Sequence, residues 1–378
     1  MKKLFIISSV LLGIILFFLG VYNFAFKKES PNSKYPVVAG APESENMELE
    51  KKKEEKIVAI RDQKIVGAVL DKKNEEIKYY DAQNGTAWSI NEEGKNEKQL
   101  SQTKVPGIKN VSWSADKSKV LTTIEKSGMT FFYEYDYLTN KGVQLKEGLD
   151  TAIWDNTGAK IFYKYYNSSD RKRSLNIANP DGSEWQKIAD IEFRNVSISP
   201  VPFSSLVSFW NSPSSNEESK LQITGITGGE VKTILSGKFG ADYLWSPDGS
   251  KVLVSSVQGN NSAKTSLGIA TIEGSYVDLN IPTFISKCVW SIDNKTLYYA
   301  LPGGIPDGSI MPNAYQENKF NTEDTFWKVD IATGEKKRVV DTAGIAEKYD
   351  SSNLFLSSTE DALFFINRID QKLYKLKF

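Results

Sequence analysis

A short segment centred on tryptophan recurs along this chain, and it constrains the fold more than any other feature of the sequence. The clearest copy, Trp245 to Lys251, reads Trp-Ser-Pro-Asp-Gly-Ser-Lys. Weaker copies are centred on Trp113, Trp154, Ile198, Trp290 and Leu356. In chain order the six central residues lie 41, 44, 47, 45 and 66 positions apart. Periods of about 40–50 residues are typical of proteins in which each repeat is one supersecondary unit.

Each copy has the composition of β-hairpins. A short apolar strand leads into a turn rich in Asp, Gly, Asn and Pro, and a strand rich in Val, Leu, Phe and Tyr comes next. A further reversal, such as Gln83-Asn84-Gly85 or Thr333-Gly334, then separates a third strand from a fourth. Third strands are predicted at Ile77 to Asp81 and Phe326 to Asp330. Four strands per repeat predict an all-β fold, the β-propeller, in which each repeat is one blade.

The unit count predicts how the ring closes. With a first unit that starts near Ile65, the chain contains seven units, so seven four-stranded blades are predicted, with six as the alternative. The last unit has only three strands, the final one being Lys372 to Phe378. A fourth strand is available in Lys56 to Ile60, which precedes the first unit without a partner there. Pairing the two ends of the chain would remove exposed strand edges.

The repeat resembles that of TolB-like β-propellers. The resemblance rests on Trp245 to Lys251 and on the looser copies at Trp113, Trp154 and Trp290, and it covers roughly residues 60–378. It implies a propeller fold. It implies little about function, because this repeat occurs in periplasmic scaffolds, in peptidase propellers and in many other exported proteins.

The N-terminal region has a different composition from the repeats. Leu4 to Phe26 carry no charge and are long enough, at about 1.5 Å per residue, to cross a bilayer core of about 30 Å. We therefore predict a transmembrane anchor over residues 1–26, a cleaved signal peptide being the alternative. Residues 27–55 are predicted to be a flexible charged linker, and residues 56–378 the propeller. Because short N-terminal anchors commonly translocate the rest of their chain, we expect the propeller on the outer, periplasmic or extracellular, side of a bacterial cytoplasmic membrane.

The composition excludes several kinds of site. The chain has no His, so it cannot carry a Ser-His-Asp or Cys-His catalytic site or a histidine zinc site. Cys288 is the single cysteine, which excludes internal disulfides, and we expect it to be a buried, unreactive thiol. The 47 basic and 47 acidic side chains cancel, so nucleic acid is not an expected partner. No cofactor or metal is expected, although Asp-rich turns leave calcium open.

The strand order predicts which face of the ring carries function. Turns after the first and third strands share one face and are short. Connections between second and third strands lie on the opposite face and hold most of the excess length, notably Pro302 to Asp324. Long loops on a rigid scaffold commonly carry function, and neutral insertion is the alternative. The predicted binding residues are aromatic and arginine side chains on that face: Tyr166, Arg171, Arg173, Trp210, Tyr315 and Phe320.

These patterns favour a membrane-tethered binding or scaffold module over an enzyme. We expect a monomer whose long-loop face holds a protein, peptide or glycan. The alternative function is a carboxylate-based glycosidase or lyase with its site in the propeller funnel, because Asp and Glu are plentiful. The repeated Trp side chains could stack on carbohydrate, but one Trp at a fixed register in successive innermost strands is better interpreted as packing between blades.

Overall fold

The computed structural model describes residues 56–378, which form seven four-stranded antiparallel blades. The first strands of neighbouring blades contact one another, so the blades are arranged around a common axis with their first strands innermost. The predicted all-β propeller is therefore confirmed, and the blade count is seven. The predicted anchor and linker fall outside the described residues. Within residues 56–378 no helix has the length and apolar composition needed to span a bilayer.

The strands are numbered in chain order, and within each blade they are given from innermost to outermost. Blade 1 contains β2 (Ile65–Asp71), β3 (Glu76–Asp81), β4 (Ala87–Asn91) and β5 (Lys98–Gln99). Blade 2 contains β6 (Ile108–Trp113), β7 (Lys119–Lys126), β8 (Met129–Asp136) and β9 (Lys141–Gln144). Blade 3 contains β10 (Leu149–Trp154), β11 (Ile161–Asn167), β12 (Lys172–Ala178) and β13 (Gln186–Asp190).

Blade 4 contains β14 (Val196–Pro200), β15 (Leu206–Asn211), β16 (Glu218–Gly225) and the first part of β17 (Lys232–Trp245). Blade 5 contains the second part of β17, then β18 (Lys251–Val257), β19 (Thr265–Thr271) and β20 (Tyr276–Ile281). Blade 6 contains β21 (Cys288–Trp290), β22 (Thr296–Leu301), β23 (Thr325–Asp330) and β24 (Lys336–Arg338). Blade 7 contains β25 (Ser351–Leu356), β26 (Ala362–Asn367), β27 (Leu373–Lys377) and β1 (Ile57–Ala59). Short helical segments are α1 (Asn313–Gln316) and the 3-10 turns Ile285–Lys287 and Thr342–Gly344.

The ring closes with strands from both ends of the described chain. β1 pairs antiparallel with β27, so that Ile57 lies opposite Leu376. Ile57 is buried in an apolar cluster that also contains Leu376 and Phe365. The predicted closure by the segment that precedes the first unit is therefore confirmed, and the main-chain groups of β27 are paired on both sides.

One strand assignment differs from the predictions, and one strand is shared by two blades. Ile77 to Asp81 is the second strand of blade 1, not the third, because β3 pairs directly with β2. The fourth strand of that blade has two residues, too few to give a sequence signal. In addition, β17 is a single strand of 14 residues that pairs with β16 and then with β18. Gly237 and Gly240 adopt φ of 75° and 57° within it, a conformation that lets the chain bend from one blade into the next.

The repeated tryptophans connect neighbouring blades. Trp113 Nε1 donates to the Gly67 carbonyl at 2.8 Å, and Trp154 Nε1 donates to the Ser112 carbonyl at 2.8 Å. In both pairs the acceptor belongs to the first strand of the preceding blade. Because each indole is buried and its N–H is paired, it contributes apolar area without leaving an unsatisfied donor. The interpretation of these residues as packing elements is confirmed.

The ring has two faces that differ in connection length. The short-turn face carries the turns after first and third strands. The long-loop face carries the connections between second and third strands and those between blades. On the long-loop face residues 212–217, 258–264 and 302–324 join second to third strands. The predicted concentration of length on one face is therefore confirmed.

Candidate functional site on the long-loop face

The longest connection, residues 302–324, packs back onto blades 5 to 7 instead of extending away from them. Met311 and Tyr315 are buried in an apolar cluster with Val257 and Phe284. The Tyr315 and Phe284 rings stack nearly parallel, with centroids 4.7 Å apart. The loop is therefore a packed part of the propeller.

A buried lysine fixes the end of this loop. Lys287 Nζ donates to Asp324 Oδ2 at 2.6 Å, to Asp350 Oδ1 at 2.8 Å and to the Ser351 carbonyl at 2.8 Å. The Lys287, Asp324 and Asp350 side chains have no solvent-accessible surface. Because the three residues immediately precede β21, β23 and β25, this ion triad ties together three segments of blades 6 and 7.

Three more side chains complete what we term the Lys287 cluster. Tyr315 Oη donates to Asp350 Oδ1 at 2.6 Å, and Thr322 Oγ1 lies 2.9 Å from the same oxygen. The Arg368 guanidinium lies 3.9 Å from the centre of the Tyr315 ring and 3.4 Å from Asp350 Oδ2. The cluster therefore consists of Lys287, Tyr315, Thr322, Asp324, Asp350 and Arg368.

The cluster favours the charged forms of Lys287 and Asp350. Burial acts to raise the pKa of Asp350, but the Lys287 charge and the hydrogen bonds from Lys287 and Tyr315 outweigh it, and the pKa falls below its usual value. For Lys287 the effect of burial is outweighed by Asp324, Tyr315 and Asp350, and the pKa rises. Burial raises the pKa of Tyr315 to about 12, so its hydroxyl remains a donor at neutral pH.

A cavity of about 310 Å³ opens beside this cluster, and we term it the long-loop pocket. Its walls come from four blades. The lining residues are Pro213, Gly240, Asp242, Ser255, Phe284, Ile285, Ser286, Pro312, Tyr315, Gln316, Ser352 and Arg368. Rings of Pro, Phe and Tyr alternate with hydroxyl, amide and charged groups, a combination suited to a ligand with both apolar and polar surface.

Asp242 differs from the carboxylates of the Lys287 cluster. Its Oδ1 accepts hydrogen bonds from Trp210 Nε1 at 3.1 Å and from the Tyr243 amide at 3.0 Å. Among residues 56–378 it forms no ion pair, and burial raises its pKa. The pocket is thus lined by one carboxyl group with a raised pKa, that of Asp242, and by one cation, that of Arg368.

The structure separates the predicted binding residues into two groups. Tyr315 lines the pocket, Phe320 lies 5.9 Å from the Tyr315 ring, and Trp210 reaches the pocket through Asp242. Tyr166 and Arg173 lie in blade 3, where the guanidinium is 4.9 Å from the ring centre. Arg171 is exposed in the turn between β11 and β12.

Sequence reasoning missed Asp242, Lys287 and Arg368. Asp242 is a lone carboxylate in the innermost strand of blade 5, three residues before the repeated Trp245, and that position was the available signal. Lys287 and Arg368 carry no local signal. Cys288 is buried as predicted, and burial raises the pKa of its thiol. No group of three or more Cys, Asp and Glu side chains suited to a metal ion occurs within the described part of the chain.

No family model matches the sequence, and no curated protein matches it. Several solved structures are similar. Oligogalacturonate lyase from Vibrio parahaemolyticus has a TM-score of 0.62 at 11% identity, covering 85% of this chain and 93% of that chain. The β-propeller domain of Cps50 (Swd1) from Myceliophteria thermophila has a TM-score of 0.55 at 9% identity, covering 85% of this chain and 99% of that chain.

A third similar structure is the β-propeller domain of the trilobed protease from Pyrococcus furiosus, described as having an open velcro topology. It has a TM-score of 0.54 at 11% identity and covers 84% of this chain and 94% of that chain. At these identities the likeness concerns the fold alone. The propeller fold expected from the TolB-like repeat is therefore confirmed.

Proposed function

We propose that this protein is a membrane-tethered β-propeller that binds a protein, peptide or glycan on the outer side of a bacterial cytoplasmic membrane. The observation that carries the proposal is the long-loop pocket, with Asp242 and Arg368 set among stacked aromatic and proline rings. Side chains of these types commonly anchor ligands. The rigid blades and the Lys287 cluster hold the pocket in shape before a ligand arrives, which lowers the entropy lost on binding.

Carboxylate chemistry is the weaker interpretation of the same site. A glycosidase of the usual kind needs two carboxyl groups that face the scissile bond. Asp324 and Asp350 both form ion pairs with the Lys287 ammonium group, but both carboxylates are fully buried and their charge is compensated by that lysine. Among the described residues that line the pocket, Asp242 is the one carboxyl group. The pocket therefore offers recognition groups without an acid–base pair.

Site-specific photocrosslinking in the native cell tests the proposal. A benzophenone side chain at Gln316, which is exposed in the pocket, should capture a partner. The same group at Ser250, exposed in a short turn of blade 5, is the control. Capture at Gln316 should be lost when Ser286→Trp fills the pocket and retained with Ser250→Trp. Capture that survives Ser286→Trp would contradict binding in the pocket.

An activity assay tests the alternative. Oligogalacturonate is a suitable first substrate, because a lyase for it has the same fold. Cleavage by the purified chain that disappears in Asp242→Asn would replace the binding proposal with an enzymatic one.

A further inference from the structure

The short-turn face exposes large apolar side chains around the ring. Leu138, Trp185, Phe203 and Ile292 lie in short turns of blades 2, 3, 4 and 6 and are 77%, 56%, 91% and 63% exposed. On the long-loop face the corresponding side chains are Met129, Ile310 and Ile369, at 59%, 45% and 47%. Scattered exposed apolar residues are ordinary, but side chains this exposed in the turns of four blades on one face indicate a contact surface.

Phe203 is also strained. Its backbone φ is 51°, in the left-handed region that bulky L-residues rarely adopt. The first turn of every other blade also contains a residue with positive φ, namely Glu75, Lys117, Gly158, Gly249, Asn294 and Glu360. The φ at Phe203 thus belongs to the repeated turn, but Phe203 is the one aromatic residue of the set, and its 91% exposure means that packing does not account for it.

A cavity of about 720 Å³ between blades 1 and 2 opens on the same face. Five lysines line it, namely Lys72, Lys73, Lys78, Lys98 and Lys117, together with exposed Leu138. Its two carboxylates are already occupied: Asp71 pairs with Lys78 at 2.8 Å, and Asp116 accepts hydrogen bonds from Ser114 and Ser118.

Three lysines of the cavity are free for a ligand. Lys72, Lys73 and Lys98 are exposed and form no ion pair within residues 56–378. Lys117 is not free, because its Nζ donates to the Ser114 carbonyl at 3.1 Å and its charge interacts with Asp71 and Asp116. The cavity therefore has a positive surplus that suits a phosphate group.

The described chain begins on this face. β1 runs antiparallel to β27, and the Lys377 amide donates to the Lys56 carbonyl at 2.9 Å. Because β27 is the third strand of its blade, its C-terminal end lies on the short-turn face, and Lys56 lies beside it. The chain therefore enters the propeller at Lys56, on the short-turn face.

We propose that the short-turn face docks on an anionic phospholipid surface, with a lipid phosphate in the lysine-lined cavity and Leu138, Phe203 and Ile292 inserted at the interface. Leu138 lies beside the cavity lysines, whereas Phe203 and Ile292 expose apolar surface on other blades of the same face. Lysines and exposed apolar side chains supply the two attractions of a peripheral membrane surface. The proposal rests on the membrane tether of the proposed function, and it leaves the long-loop pocket pointing away from the bilayer.

Single-cysteine labelling of the full chain tests this arrangement. Because Cys288 is buried, an environment-sensitive fluorophore can be placed selectively at Leu138→Cys or Phe203→Cys, with Ile310→Cys and Ile369→Cys as controls. The labelled chains are reconstituted in phosphatidylcholine vesicles with phosphatidylglycerol and a headgroup nitroxide quencher. We expect loss of most of the fluorescence at positions 138 and 203 and little loss at 310 and 369.

A charge-matched pair of variants tests the cavity. Lys72→Gln, Lys73→Gln and Lys98→Gln together should abolish the dependence of quenching on phosphatidylglycerol. The control changes three exposed lysines of the same face that lie outside the cavity, Lys141, Lys232 and Lys295. Their combined change to Gln should leave the dependence of quenching on phosphatidylglycerol intact. Equal loss in both triple variants would overturn the assigned cavity.

The other outcomes separate the two proposals. Chains that fail to float with the vesicles would overturn the tether and the docking together. Chains that float without quenching at position 203, or with equal quenching at all four positions, would overturn the docking alone. Quenching that needs no phosphatidylglycerol, with inorganic phosphate protecting the cavity lysines from amine-reactive labelling, would assign the cavity to free phosphate.

Discussion

The long-loop face and the short-turn face both place lysines next to carboxylates, but the two faces use these charges differently. On the long-loop face Lys287 is fully buried and contacts Asp324 and Asp350. On the short-turn face Lys72 and Lys98 are exposed around a cavity, and their ammonium groups form no ion pair within residues 56–378. A buried charge must be matched inside the protein, whereas hydrated charges can be left for a ligand. The comparison thus separates charges that hold the fold together from charges that are available for recognition.

Removing the buried lysine should give the largest effect. Lys287→Met leaves Asp324 and Asp350 buried without a counter-charge, and loss of one partner of a buried pair costs about 3–5 kcal/mol. Lys348→Met is the matched control, because its ion pair with Glu323 is exposed and should contribute about 1 kcal/mol or less. Denaturant unfolding measures both. Equal losses would show that the cluster does not carry the stability of the long-loop face.

A smaller loss is expected when one donor leaves the cluster. Tyr315→Phe removes the hydrogen bond to Asp350 and keeps the ring, and hydrogen bonds to charged groups contribute about 1.5–3 kcal/mol. Tyr133→Phe removes an exposed bond to Gln144 and should change the free energy of unfolding by about 0.5 kcal/mol or less. If the two variants unfold alike, Tyr315 is not a structural partner of Asp350.

The two kinds of carboxyl group on the long-loop face should respond to pH with opposite signs. Because burial raises the pKa of Asp242 above 3.8, its contribution to stability is fully present below that pH and is lost as pH rises through the folded-state pKa. Asp242→Asn should therefore be more stable than the native chain at neutral pH and equally stable in acid. The gain in the free energy of unfolding at neutral pH should be smaller than the loss caused by Tyr315→Phe. Denaturant unfolding as a function of pH checks this.

Asp350 supplies the internal contrast. Its pKa is lowered below 3.8, so its contribution is present above that pH and is lost as pH falls through the folded-state pKa. Asp350→Asn should be less stable than the native chain at neutral pH, and the difference should shrink in acid. Matching pH profiles for the two Asn variants would refute the assignment.

The smallest effect is expected on the short-turn face. Phe203→Gly relieves the strain at φ 51° and removes almost no burial, so stability should rise by about 1 kcal/mol or less. Phe203→Ala keeps the strained backbone and should leave stability within about 0.5 kcal/mol. Thermal unfolding distinguishes them. A clear loss of stability in Phe203→Gly would mean that Phe203 does serve the fold.

The sequence predicted the architecture more fully than the site. The spacing of Trp113, Trp154, Trp245 and Trp290 gave the period, and the unpaired Lys56 to Ile60 gave the closure. Ile77 to Asp81 was misassigned because the fourth strand of its blade, β5, has only two residues and gives no local signal. The sharing of β17 by two blades was not predicted, because the strand is continuous over 14 residues. Of the predicted binding residues, Tyr315 reached the pocket because it lies in the longest loop.

The sequence by itself determined the repeated blade and the face with long loops, because strand alternation and turn chemistry depend on a few neighbouring residues. It predicted seven blades with six as the alternative, and the structure decided for seven. Only the tertiary structure decided which charges meet. Lys287 and Asp350 are 63 residues apart, and they meet because blades 6 and 7 are neighbours, which places the starts of β21 and β25 side by side. Ring closure by β1 and β27 decided that Lys56 lies on the short-turn face. Such juxtapositions arise from the curvature of the whole ring, which no segment encodes alone.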